Sequence, residues 1–216
     1  MITIKHKFLA SVIINGSLIP NSWDLTVHLS ANVSETNHDI AVATERLSVW
    51  IEAILDNSML VGPDDMELIK DFESMPFSAG VHPLIDEPYD HILAVCIYTK
   101  ISSILDKKLF VDSLTLESYQ GGNISHTHNA EEGDVDILRD IARPGQEEYA
   151  EYWYRKDPVF FRIDDKGVKL IEQTWKELEL GFDEDNGGET RNVGENVVTL
   201  KKFKPRIIPG DKDDSA

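Results

Sequence analysis

Residues 109–129, LFVDSLTLESYQGGNISHTHN, decide how this chain is read. They have the pattern of two strands around Gly121-Gly122, and a glycine pair supplies the positive φ angles of a two-residue hairpin loop. Leu114 and Leu116 alternate with Thr115 and Glu117, so the leucines take one face of the sheet and the polar residues the other. A loop of Gly121 and Gly122 places Glu117 opposite His126 and Thr115 opposite His128. That register collects one carboxylate and two imidazoles, the only dense group of chemically useful side chains in the sequence. Glu117, His126 and His128 are therefore the candidate ligand-binding residues. Two histidines and a carboxylate also match a common metal-ligand set, but a polar cross-strand ladder is the default reading of such a trio, and no metal or cofactor is assigned.

Upstream, Asp86-Glu87-Pro88 sets acid and proline where a helix begins. Ile92, Leu93, Cys96, Ile97, Ile101, Ile104 and Leu105 then give a broad apolar face as far as Asp106. Another helical pattern, with Leu47, Trp50, Ile51, Ile54 and Leu55, spans about Ile40 to Asn57. Before it, Trp23, Leu25, Val27, Leu29 and Ala31 alternate with Asp24, Thr26, His28 and Ser30, the mark of a half-buried antiparallel strand. Ile4 to Ile19 is strand-like as well, with Asn15-Gly16 as a hairpin or bulge. Between the helices, Asp64 to Phe72 reads as a short helix and Ser78 to Pro83 as loop.

Downstream of Ala130 the composition changes. A helix is expected through Val135 to Ala142, an aromatic cluster at Tyr149 to Tyr154, a short strand over Pro158 to Ile163 and a helix over Gly167 to Leu180. A polar loop follows at Asp183 to Glu195, an edge strand at Val197 to Ile208, and a disordered acidic tail over 209–216. The division is thus a core of residues 1–129, a C-terminal extension of 130–208 and the tail.

The order strand, strand, helix, helix, strand, strand over Ile4 to His128 resembles the tunnelling fold of the 6-pyruvoyltetrahydropterin and 6-carboxytetrahydropterin synthases. Leu55-Asp56-Asn57-Ser58-Met59-Leu60 is similar to that family's Leu-Asp-His-x-x-Leu segment. Glu87-Pro88-Tyr89-Asp90-His91-Ile92-Leu93-Ala94 looks like its Asn-Pro-Thr-x-Glu-x-x-Ala segment, and Leu116-Glu117-Ser118 sits at its Glu-Thr pair. The resemblance implies an α+β fold: a four-stranded antiparallel sheet with two long helices on one face, here with a C-terminal extension. It also implies a homo-oligomer with sites between chains, in which Glu117 holds the guanidine-like edge of a purine or pterin. The family's zinc histidines are missing: Phe8 to Ser11 and the lone His28 occupy their strands. Asn57 stands at the catalytic histidine and cannot act as a general base. The expected function is heterocycle binding without the zinc-dependent chemistry.

Composition bounds the alternatives. A formal net charge of -18 over 216 residues disfavours nucleic acid and anionic membrane surfaces as partners. It leaves open a second function class, a non-enzymatic acidic protein that binds or inhibits a basic partner. The single cysteine, Cys96, excludes an intramolecular disulfide. With no signal-like or membrane-length apolar run, a cytoplasmic location is expected.

Overall fold

The computed structural model describes residues 1–32, 34–66, 68–69, 79–122, 124–130, 136–164 and 167–182. Eight strands form one mixed sheet in the order β6-β5-β2-β1-β3-β4-β7-β8. They are β1 (Ile2–Ile14), β2 (Ser17–Ala31), β3 (Ser58–Val61), β4 (Ala79–Pro83), β5 (Leu109–Ser118), β6 (Ser125–Asn129), β7 (Phe160–Asp164) and β8 (Gly167–Ile171). The helices are α1 (Asn37–Val49), α2 (Asp90–Leu105), α3 (Ile137–Ile141) and α4 (Glu147–Tyr154).

This corrects the expected four-stranded antiparallel sheet with two long helices. The antiparallel run β1-β2-β5-β6 is only half of the sheet, and β3 and β4 add to β1 in parallel. The longest of the four helices has 16 residues. The reason lies between the helices. Ser58-Met59-Leu60-Val61 is a short, wholly buried strand between Asn57 and Gly62-Pro63, the pattern of a strand covered on both faces. Ala79 to Pro83, read as loop, is β4, with Pro83 at its end where a missing N–H is tolerated.

Alternation builds the main core. Phe8, Ala10 and Val12 of β1 and Trp23, Leu25, Val27 and Leu29 of β2 are buried beneath α1 and α2. Phe8 lies opposite Trp23 in the register, and their rings stack at 5.2 Å. A bulge between His28 and Leu29 shifts the β5 pairing, so Leu109 and Val111 and then Leu114 and Leu116 all reach the core. A smaller cluster of Ile13, Met59, Val61, Ile69, Val81 and Ile163 packs separately.

α1 does not end in a cap. It continues into a π-helical turn, Trp50–Leu55, in which the Asp56 amide donates to the Ile51 carbonyl at 2.9 Å. The Ile54 carbonyl accepts instead from the ring of His82 on β4, at 3.0 Å. The other ring nitrogen of His82 meets the Tyr152 hydroxyl of α4 at 2.5 Å. With Nε2 donating to a carbonyl, Nδ1 is left as the acceptor for the phenol. His82 is thus held neutral, and burial lowers its pKa to about 4.

The segment after Ala130 joins the same sheet and core. β7 pairs with β4, and Trp153 donates to the Pro83 carbonyl at 2.8 Å while its ring meets Trp50 edge-on. The helix expected over Gly167 to Leu180 is corrected: Gly167–Ile171 is β8, and Trp175 begins a turn. The loop at 183–195, the strand at 197–208 and the tail at 209–216 lie outside the described residues, as do residues 67 and 70–72 of the short helix expected at 64–72. Among the described residues no helix is long and apolar enough to cross a membrane.

Candidate functional site

The hairpin forms, but its register differs by one residue from the expected one. Glu117 lies opposite Ser125, Leu116 opposite His126, Thr115 opposite Thr127 and Leu114 opposite His128. The loop is longer than Gly121-Gly122, because the Gly121 amide donates to both the carbonyl and the hydroxyl of Ser118. A slip of one residue sends every side chain of a strand to the opposite face. The expected trio is therefore divided by the sheet.

His126 and His128 take the helix side. The His126 ring lies 5.9 Å from that of His91, which stacks at 5.9 Å on Tyr89. His128 meets the edge of Tyr98 at 4.3 Å. Among the described residues no group of three or more His, Cys, Asp or Glu side chains is placed to hold a metal ion.

Glu117 takes the outer face, which no helix among the described residues covers. Its cross-strand neighbour there is Asp24 of β2, paired with it directly in the register. Asp24 in turn faces Lys7 of β1, with an ion pair at 3.9 Å. Glu117 has no hydrogen bond or ion pair among the described residues. The next row holds Lys5, Thr26, Thr115 and Thr127, with the last two joined at 3.0 Å. Beyond it His28 accepts or donates at 3.1 Å to Thr3, on the solvent face as the alternation requires.

In the other direction from Asp24, towards the start of β2, the surface becomes apolar. A depression of about 360 Å³ is bordered by Leu9, Leu18, Pro20, Asn57 and Ala79. Leu9 and Leu18 are 51% and 43% exposed, although they sit in a sheet. The Asp56-Asn57 corner is fastened to this spot: Asp56 accepts from the Leu9 amide at 2.8 Å, and the Asn57 amide donates to the Leu9 carbonyl at 2.7 Å. Asn57 adopts a left-handed conformation, φ 59°, which asparagine tolerates better than most residues. At the far side, Gln120 reaches the Pro20 carbonyl at 2.6 Å and ties the hairpin loop to β2.

With strands about 4.8 Å apart and a rise of about 3.4 Å per residue, Glu117 and Leu9 are separated by roughly 12 Å across the sheet. That distance spans a fused two-ring heterocycle together with the reach of the glutamate side chain. Asp24 is the residue that the sequence left among the polar half of an alternating strand. Only the register between β2 and β5, which are 78 residues apart at their nearest ends, brings it beside Glu117.

No protein-family model matches the chain, and no curated protein matches it significantly.

Proposed function

We propose that the outer face around Glu117 and Asp24 binds a small planar heterocycle of the purine or pterin kind, and that a second copy of the chain closes the site. The reading assigns no zinc chemistry and no catalytic step. The observation that carries it is the carboxylate pair. Like charges set directly opposite in a sheet are destabilising, and among the described residues Lys7 engages Asp24 alone. A ligand edge with two adjacent N–H donors would satisfy Glu117 and relieve the repulsion. The exposed Leu9, roughly 12 Å away, offers an apolar surface for the far ring, and a partner copy would shield that surface from water.

Thermal unfolding in the presence of a guanine and pterin panel tests this. A ligand at one hundred times its dissociation constant adds about 2.7 kcal/mol of stability, and Glu117→Gln should remove that gain while Ser125→Ala should not. Light scattering of the same samples should show a species larger than one chain. Absence of stabilisation by every member of the panel, or an undiminished gain in Glu117→Gln, sinks the reading.

A further inference from the structure

A second hollow lies elsewhere, on the helix side, where the end of α2 meets the start of β5. It is a groove of about 490 Å³, within the range of small-ligand sites. Leu109 and Val111 form its apolar floor, and Tyr98 and Tyr154 bring aromatic surface. Polar groups are few. The Thr99 and Ser103 hydroxyls donate back to helix carbonyls, at 3.0 and 2.9 Å. The Ser102 hydroxyl makes no hydrogen bond among the described residues. Lys156 is committed to Asp106 at 2.5 Å. Lys107 lines the groove, is exposed, and has no ion pair among the described residues.

The backbone at this point is unusual. Asp106 and Lys107 both lie in the left-handed region, at φ 46° and 64°, with glycine at neither position. Each such residue costs about 1–2 kcal/mol, and strain of this kind gathers at binding sites. The strained pair turns the chain out of α2 and presents Lys107 just beyond the helix end. This placement matters, because the last carbonyls of α2 carry partial negative charge and would repel an anion held over the final turn.

We propose that this groove binds a small amphipathic anion, with its aromatic or aliphatic body against Tyr98 and Tyr154 and its carboxylate on Lys107. Charge complementarity supports the choice. On a chain of net charge -18, the groove carries two lysines against one aspartate, and its uncommitted charge is positive.

The probes are 1-naphthoate and its uncharged counterpart 1-naphthamide, titrated into the full chain and followed through backbone amide shifts. Naphthoate should shift the amides of residues 102–111 saturably, and naphthamide should bind at least about fivefold more weakly, as loss of a charge-assisted hydrogen bond requires. Lys107→Gln should weaken naphthoate by a similar factor and leave naphthamide unchanged. Lys107→Gly should weaken naphthoate equally while raising the unfolding midpoint, since glycine relieves the backbone strain. Equal affinity for the two probes, undiminished naphthoate binding in Lys107→Gln, or shifts confined to the outer sheet face overturn the proposal. Glu117→Gln leaves this titration unchanged, so the outcome is independent of the heterocycle reading.

Discussion

Replacing Lys100 by methionine should change how stability depends on pH more than it changes stability itself. Lys100 lies on α2 with no exposed surface, and its ammonium donates to the carbonyls of Arg155 at 2.5 Å and Asp157 at 3.0 Å. Burial is the main cause that lowers its pKa from 10.5 to about 7, against a smaller opposing pull from Asp157. Between these two values the unfolded chain holds a proton that the folded chain has released, so stability rises with pH. At one pKa unit per 1.36 kcal/mol, and allowing for half-protonation of the folded state at pH 7, the gain from pH 7 to pH 9 is about 2 kcal/mol. Above that window the buried Cys96 and Tyr152, both with raised pKa values, act in the opposite direction. Urea unfolding of the natural chain and of Lys100→Met at pH 7 and pH 9 provides the measurement. The difference in stability between the two proteins should shift by about 2 kcal/mol in favour of the natural chain as pH rises. Lost packing and lost hydrogen bonds contribute nearly equally at both pH values, so they cancel. Parallel profiles within about 0.5 kcal/mol would refute the argument and mean that the Lys100 ammonium reaches water.

His82 should shape the acid limb in the same way. Its folded pKa of about 4 lies below the usual 6.5, so stability is lost as pH falls from 6.5 towards 4, by about 2 kcal/mol at pH 4.5. Unfolding of His82→Gln at pH 7 and pH 4.5 should lack that share of the loss. Trp153→Phe should cost about 2–4 kcal/mol in denaturant unfolding, because it leaves a cavity beside Trp50 and strips the buried Pro83 carbonyl of its donor.

The strands that alternate cleanly were legible in the sequence. β2 announces both of its faces, from Trp23 to Ala31, because one side is core and the other is water. α2 was legible for the complementary reason, an apolar face too broad for a strand. β3 and β4 were not, since strands of 4 and 5 residues buried on both sides lack the period that marks a half-exposed strand. The apparent helix at Gly167 to Leu180 shows the converse error. Val168, Ile171, Trp175 and Leu178 have helical spacing, yet Val168 belongs to a strand and Trp175 to the turn beyond it. Trp175 is buried with its indole donating to the Lys156 carbonyl at 2.6 Å. Its role is set by that distant contact and not by its neighbours in sequence.

The candidate site depended on a single residue of register. Gly121-Gly122 marked a turn correctly, but Ser118 decides where the ladder ends, because its hydroxyl and carbonyl both take the Gly121 amide. A serine three residues before the glycine pair carries no local sign that it will cap the loop. Its hydroxyl is positioned from outside the hairpin by Asn21 of β2, which donates to it at 3.1 Å. The contact that fixes the register thus comes from 97 residues away, and with it the separation of Glu117 from His126 and His128. The same long-range pairing sets Asp24 beside Glu117. Tertiary contact between β2 and β5 thus parts one group of polar side chains and assembles another, Asp24 with Glu117, on the outer face of the sheet.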